Sequence, residues 1–589
     1  MTTRDVTSDV ERVIAGAVSG ALAGLVLGVL MALDEVDRTS LLPVGPTAVR
    51  VILHFAAALT IGVAVGRLFR HHVKGAAALA TGGLMVGLLW WIAGTLTLVP
   101  LAGGETPSWS FDEAATRFPN LVSALLAGSL TGLLYFLLLR RIRTIRGFNG
   151  PPEPPPPDPV HVVVLGGGFG GVAAAKRIEQ LALAGSNLTV SLVSPSNYLL
   201  FTPMLAEVAG SSLEAQHISA PIRAACPRTR FYRCEVDELD LDRNELRLHG
   251  SSTSILRYDH LVFALGSVPN FRDLPGMEEH SFTLKSLRDA TMLRNHVITM
   301  LERADIETGV DERSRQLTFV VAGGGFAGTE TIAELFDLVH NARRYYPHIR
   351  PEELRFVLVH SRDRILPEIG PELADYALRK LRGRGIEFLL ETRVAGATAE
   401  AMLLADGGAI PTRSLVWTAG NQPNPLLDQL PVDRSRGGAL LVDDTLRLVG
   451  QEELWAVGDC AQIPDPDNEG GFYPPTAQHA LREGKAVAEN IAAVAKGKPP
   501  KPFRFRAIGI LVALGHRTAV AEIRGRRFSG LIAWMLWRGV YLSKLPGLEK
   551  KVRVFIDWTI DLLFPRDIVL TAENPPTLEA TITTEGRRE

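Results

Sequence analysis

Two short stretches of this 589-residue chain carry glycines at the spacing a pyrophosphate requires. In HVVVLGGGFGGVAAAKRIEQL a β-branched run at 161–165 leads into Gly166, Gly168 and Gly171, then into a helical pattern. In LTFVVAGGGFAGTETIAEL a strand pattern at 317–322 leads into Gly323, Gly325 and Gly328, again followed by a helix. The first glycine of such a loop allows the tight turn. The second lets the backbone approach the phosphates, and the third lets the helix pack on the strand. The helix N-terminus adds free N–H groups and the positive end of its dipole. A glycine triplet alone is a weak signal; here a strand precedes it and a helix follows, twice. Phe169 and Gly170 complete the first loop and Phe326 the second, as further candidate cofactor contacts.

Two such loops imply two dinucleotides, and the simplest reason for a pair is an electron donor beside an acceptor, NAD(P)H beside FAD. The acid that usually holds the ribose hydroxyls at the end of the second strand is missing from both units. LTVSLVS ends at Ser194, which can still hydrogen-bond a ribose, and LRFVLVH ends at His360. His360, with Ser361 and Arg362, can instead receive the extra phosphate of NADPH, so NADH is the preferred donor and NADPH stays open. A further flavin signature is LWAVGDCA at 454–461, where a strand ends at Gly458 and Asp459 can accept hydrogen bonds from the ribityl chain.

These residues have to be held by a larger frame. YDHLVFALGSVPN (258–270), with Gly266, reads as the passage from the FAD unit into an inserted NAD unit, and WTAGNQPNPL (417–426), with Gly420, as the return. The expected fold is α/β, with two Rossmann-like dinucleotide-binding domains. FAD-binding parts at 160–285 and 412–500 enclose an NAD(P)H-binding domain at 286–411. Before them, NGPPEPPPPDP at 149–159 cannot be helix or central strand and reads as an extended spacer.

Upstream of the spacer, the apolar runs 12–33, 47–69, 75–100 and 120–139 each suffice to cross a hydrocarbon core of about 30 Å. They are apolar on every face, so residues 1–148 are expected to form an all-α four-helix transmembrane bundle. Arg67, Arg70, His71, His72 and Lys74 follow the second run, and Arg140, Arg141, Arg143 and Arg146 follow the fourth. Asp34, Glu35, Asp37, Glu105, Asp112 and Glu113 occupy the other loops. The positive-inside rule therefore places the catalytic domains on the cytoplasmic face of the cell membrane. Gly16, Gly20, Gly24 and Gly28, four apart, form a stripe for close helix contact. His54 lies inside the second run and is either a functional group or one near an interface with a hydrogen-bond partner. Trp90 and Trp91 are expected only to pack.

A net charge of -2 argues against a nucleic-acid partner. Three cysteines, Cys226, Cys234 and Cys460, give no disulfide framework and no metal-ligand spacing, so no metal is expected.

The chain resembles the type II NADH:quinone dehydrogenases among the two-dinucleotide-binding flavoproteins. The resemblance spans about 160–570 and rests on NYLLFTPMLAEVAG (197–210), GGGFAGTE (323–330), DRILPEI (363–369), LWAVGDCA and PPTAQHALREG (474–484). It continues through ALGHRTAVAEIRGRRFSGLIAWMLWRGVYL (513–542) and does not include the first 150 residues. It implies that Thr202 and Pro203 lie against the flavin and that Glu330 relays protons to the reduced quinone. It also implies that Ala477 and Gln478 line the quinone end of the flavin. Where the family often has a second glutamine, this chain has Arg482, which either favours an anionic product or pairs with Glu483.

Residues 501–589 are expected to associate with the membrane. Trp534, Trp537 and Trp558, among apolar residues with nearby Lys and Arg, suit helices lying in the interface. The same residues also suit a homodimer contact. The expected activity is non-proton-pumping transfer of electrons from NAD(P)H through FAD to a membrane quinone. A sulfide:quinone oxidoreductase, which needs two cysteines near the flavin, and a flavoprotein sensor or scaffold without turnover are the alternatives.

Overall fold

The computed structural model describes residues 9–33, 47–69, 75–102, 104, 106–107, 115–145, 158–249, 255–468, 470–515 and 517–570. They fall in two compact units, Met1–Pro155 and Pro156–Glu589. Most of the proline-rich run lies outside the described residues. So do the loop charges Arg70, His71, His72, Lys74, Arg146, Asp34, Glu35, Asp37, Glu105, Asp112 and Glu113.

The first unit contains four helices long and apolar enough to cross a membrane: Asp9–Leu33, Thr47–Leu68, one starting at Ala76, and Phe118–Ile145. They pair through glycine. A Cβ on Gly16 would stand 2.4 Å from the Gly62 carbonyl oxygen, and one on Gly83 would stand 2.0 Å from that of Gly128. The backbones therefore touch, as small residues in lipid-facing helices allow. The stripe loosens at Gly28, which meets only the Phe55 ring, at 3.8 Å. The third helix widens into a π-type turn at Trp91–Leu98 just before Pro100. Proline has no N–H and its ring crowds the carbonyl four residues back, so the turns ahead of it open. Buried His54 places its Nε2 3.0 Å from the Gly24 carbonyl oxygen on the neighbouring helix. Trp91 does more than pack: its indole donates to the Arg117 carbonyl at 3.0 Å.

In the second unit a five-stranded parallel sheet has the order Leu454–Ala456, His260–Phe263, Val160–Leu165, Leu188–Val193, Arg230–Tyr232. A second parallel sheet runs Ile386–Leu389, Arg355–Val359, Thr318–Ala322, Ser414–Trp417. Their central strands are buried on both faces, which is why they read as unbroken Val, Leu and Phe. Ser267–Pro269 pairs antiparallel with Asn421–Pro423, Val268 opposite Gln422, so the chain's passages between the two sheets run side by side.

The C-terminal part is an antiparallel sheet of Gly509–Ala513, Ala519–Ile523 and Arg526–Ser529, followed by helices Gly530–Lys544 and Leu548–Leu563. Trp537 and Trp558 are not interfacial anchors: they are 1% and 3% exposed and point into the protein. Arg538 does not reach outward either; it stacks on Trp534 and Trp558, at 3.8 and 4.8 Å from the ring centres. The outer face is apolar instead, with Leu531, Ile532, Met535, Phe555, Ile556 and Leu563 exposed.

Candidate functional site

Both glycine loops sit at the C-terminal ends of central parallel strands, where open α/β sheets bind ligands. Gly166 and Gly323 have φ of +110° and +120°, which side chains rarely adopt. A Cβ on Gly171 would lie 1.9 Å from the Gly166 oxygen, and one on Gly328 would lie 1.8 Å from that of Gly323. The helices Phe169–Leu183 and Phe326–Ala342 therefore close tightly on their loops. Gly168 faces open space, so a dinucleotide phosphate can approach the backbone there. Ser194 is buried beside the first loop, its hydroxyl 2.8 Å from where a Cβ on Gly167 would stand. In the second loop the Gly324 amide donates to His360 Nδ1 at 3.0 Å. That bond makes Nε2 the protonated nitrogen of the neutral ring, and Nε2 has no partner among the described residues. Burial, reinforced by Arg362, holds the His360 pKa down.

The first loop, the segment 197–210 and the C-terminal helices meet through aromatic edges. Buried Phe201 packs edge-on against Phe169 at 5.7 Å and Tyr541 at 6.0 Å. Directly after it, Thr202 is exposed and Pro203 half-buried, on a short 3-10 turn.

Gly458 turns with φ +75° at the end of its strand, and its amide donates to the Glu483 carboxylate at 2.8 Å. Burial, opposed by that bond, pushes Glu483 up to about 7. Next to it Asp459 accepts from the Ser267 hydroxyl at 2.7 Å, and Ser267 accepts from the Lys285 ammonium at 3.1 Å. Lys285 is depressed by burial and sustained by Asp459. A pocket of about 240 Å³ opens here, lined by Gly458, Asp459, Tyr473, Pro475, Thr476 and Glu483 among others. Gly266, φ +67° with open space where a Cβ would stand, and Gly420 flank the paired passages. These features fit FAD: an open phosphate loop, a hydrogen-bonding carboxylate at Asp459 and a cation at Lys285.

At the start of helix Ala477–Val494, Ala477 and Gln478 are half-buried. Arg482 makes no ion pair with Glu483. It stacks on Phe505 at 4.2 Å and donates to the Gln478 carbonyl at 3.2 Å. Glu330, on the first turns of its helix, accepts the Ala513 amide at 3.0 Å. Surrounding protein raises it to about 8, with Glu334 adding to the rise, although part of the side chain still reaches the surface. The Trp537 indole lies close enough to oppose that rise but forms no hydrogen bond of ordinary geometry.

The cysteines do not form a sulfur-handling pair. Cys226 and Cys460 are buried against backbone carbonyls, their thiols pushed up to about 12 and about 11 by burial. Among the residues missed in sequence are Lys285, Glu207, Glu334, Asp561 and Arg566. The spacing of Glu330 and Glu334 on one helix face was the available signal for Glu334; the others come from distant segments with no local signal.

The profile described as Pyridine nucleotide-disulphide oxidoreductase matches residues 160–484, and that described as NDH2 C-terminal domain matches 508–567. A "Probable NADH dehydrogenase" of Dictyostelium discoideum is 30% identical over 417 residues, covering 69% of this chain and 90% of that one. The "Type II NADH:quinone oxidoreductase Ndh" of Mycobacterium tuberculosis is 28% identical over 429 residues, covering 70% and 89%. Among solved structures, NDH2 from Plasmodium falciparum in complex with NADH superposes with a TM-score of 0.64 at 18% identity, over 70% of this chain and all of that one. The sulfide:quinone oxidoreductase of Aquifex aeolicus shares the fold with a TM-score of 0.54 at 18% identity, over 69% and 95%.

Proposed function

This chain belongs to the pyridine nucleotide-disulphide oxidoreductase family and carries an NDH2 C-terminal domain, and from that we propose how its residues run the reaction. It is a non-proton-pumping NAD(P)H:quinone oxidoreductase. FAD, when bound, supplies the acceptor for a hydride and passes two electrons on to quinone. The observation that carries this reading is that the C-terminal domain matched at 508–567 docks onto the second dinucleotide helix, with the Ala513 amide on Glu330.

In this reading the loop at Gly166, Gly168, Phe169, Gly170 and Gly171 holds the FAD pyrophosphate and Ser194 its ribose. Asp459, tied to Ser267 and Lys285, holds the ribityl chain, and Gly266, Gly420 and Gly458 keep side chains out of its way. Thr202, Pro203 and Ala477 bracket the ring. Gly323, Gly325, Phe326 and Gly328 hold the nicotinamide dinucleotide. NADH is the main donor; His360 and Arg362 give NADPH a place. Gln478 orients the quinone, Arg482 stabilises negative charge developing on it, and Glu330 gives it a proton. The reaction consumes one proton from the protein: NAD(P)H + H⁺ + quinone gives NAD(P)⁺ + quinol. The domain limits 160–285, 286–411, 412–500 and 501–589 belong to the same reading.

The four apolar helices and the exposed apolar face of the C-terminal helices suit a membrane, where a hydrophobic quinone dissolves. The basic residues after the second and fourth apolar runs support a multi-pass protein with its catalytic unit on the cytoplasmic face. The C-terminal face also offers surface to a second copy in a homodimer. The test is whether NADH or NADPH bleaches the bound flavin and quinone restores it. Bleaching by sulfide alone would move the chain to the rival chemistry.

A further inference from the structure

The two glycine loops share one geometry, but only the first is open where a phosphate must arrive. The point at which a Cβ would stand on Gly168 has nothing within 4 Å of it. The equivalent point on Gly325, the second glycine of the other loop, lies 3.1 Å from a carboxylate oxygen of Glu368. Glycine serves at both positions because a pyrophosphate comes close to the backbone there. In the second loop a carboxylate stands in that approach.

The backbone keeps it there. After strand Arg355–Val359 the chain folds back over the loop, and the Leu366 amide donates to the Gly324 carbonyl at 2.6 Å. Leu366 is buried and takes φ +49° to make that bond, a region in which a residue with a Cβ is strained. Ile365 and Ile369 are buried on either side of it. The Ile369 amide returns to the Leu366 carbonyl at 3.1 Å, and Arg364 donates to the Pro367 carbonyl at 3.3 Å. Glu368 is held between these anchors with its side chain exposed and without an ion pair among the described residues. Arg362, on the same segment, acts on its charge. Arg527, which the C-terminal sheet brings close to Gly370, is taken by Glu372. The Gly324 amide, a donor that an anion would use, is already given to His360 Nδ1 at 3.0 Å.

With no nucleotide bound, the carboxylate answers the positive end of helix Phe326–Ala342. A pyrophosphate brings further negative charge to the same place, and like charges that close repel.

We propose that Glu368 sets the affinity of the second dinucleotide site, a carboxylate over Gly325 that loosens the hold on the pyrophosphate of a pyridine dinucleotide. This rests on the reading of the second loop as the NAD(P)H site. NADH, NADPH and their oxidised forms share the pyrophosphate, so Glu368 weakens all of them by one factor. That effect is separate from the 2′-phosphate, which His360 and Arg362 are read to receive. A loose hold also lets the oxidised nucleotide leave.

The test compares the full flavin-loaded chain with its Glu368→Gln variant. Calorimetric titration with ADP-ribose, which carries the pyrophosphate and no nicotinamide, gives Kd directly. Steady-state kinetics give KM for NADH and for NADPH. The expected result is a Kd for ADP-ribose about tenfold lower in the variant, with both KM values falling by a similar factor. The gap narrows as salt rises from about 0.02 M to about 0.5 M, because screening relieves the repulsion in wild type. A change of loop shape alone would not give that response. Glu368→Ala, which empties the space, tightens binding as well and decides the matter should the glutamine variant not fold. Equal or weaker binding of ADP-ribose by the variant, a gap that salt leaves alone, or a fall in KM confined to NADPH overturns the inference. Binding of ADP-ribose by wild type then leaves the parent reading standing. Wild-type protein that binds neither ADP-ribose nor NAD⁺, and whose flavin NADH does not bleach, overturns both.

Discussion

The Glu483 carboxylate and the Gly458 amide, 25 residues apart, meet at 2.8 Å and fix the turn that carries Asp459. Glu483 is 2% exposed and raised to about 7, chiefly by burial. A carboxyl raised on folding adds stability below its unfolded value, and that contribution is lost as pH rises through the folded value. Stability and flavin retention should therefore fall between about pH 4.5 and about pH 7 and level off above. The loss is on the order of 3 kcal/mol at most. Glu483→Gln, which keeps the acceptor, should flatten that slope in thermal melts across the range. A slope equal to wild type would mean that Glu483 does not govern the turn.

Glu330→Gln should slow quinone reduction by about ten- to a hundredfold while leaving nicotinamide oxidation alone. In the wild type the quinone half-reaction should weaken as pH rises through about 8, where Glu330 loses its proton. Single-mixing kinetics with a soluble quinone analogue measure both. A variant as fast as wild type would remove Glu330 from the proton path.

Arg362 stands two residues beyond His360, which replaces the acid that usually ends the second strand of such a unit. Arg362→Ala should cut kcat/KM for NADPH about tenfold, roughly 1.4 kcal/mol, and change NADH less than about twofold. Steady-state kinetics with each donor decide it. Equal losses would show that Arg362 does not read the phosphate.

Exposed Met535 and Phe555 lie on the apolar outer face of the C-terminal helices. Replacing both with Glu should lower activity on a long-chain quinone in vesicles about tenfold, yet spare a water-soluble analogue. The four upstream apolar helices are unchanged in this variant, so the ratio of the two activities isolates quinone access. An unchanged ratio would assign that face to another role, such as the homodimer.

The glycine loops were legible because their chemistry is local: a turn, a phosphate and a helix start within six residues. The paired passages at Val268 and Gln422 were legible from the two glycine-bearing stretches flanking the insertion. Trp537 and Trp558 were misread because their composition matches an interfacial helix. Both pack in an apolar core contributed largely by distant segments, and the Trp558 indole finds its acceptor in Glu207, 351 residues away. Arg482 and Glu483 are adjacent in sequence, yet neighbours on a helix point in different directions. Glu483 therefore turned to Gly458 and Arg482 to Phe505. The polar partners in the four-helix unit, such as Arg117 for Trp91, are contacts between residues distant in sequence, which periodicity does not convey.

The most direct test of the account is double-mixing stopped flow on the purified full chain, following flavin absorbance. The protein is mixed first with NADH or NADPH and then with a quinone analogue. The account predicts rapid bleaching by NADH, slower bleaching by NADPH, and rapid recovery on adding quinone. Absence of bleaching by either nucleotide, or bleaching without recovery by quinone, would contradict it.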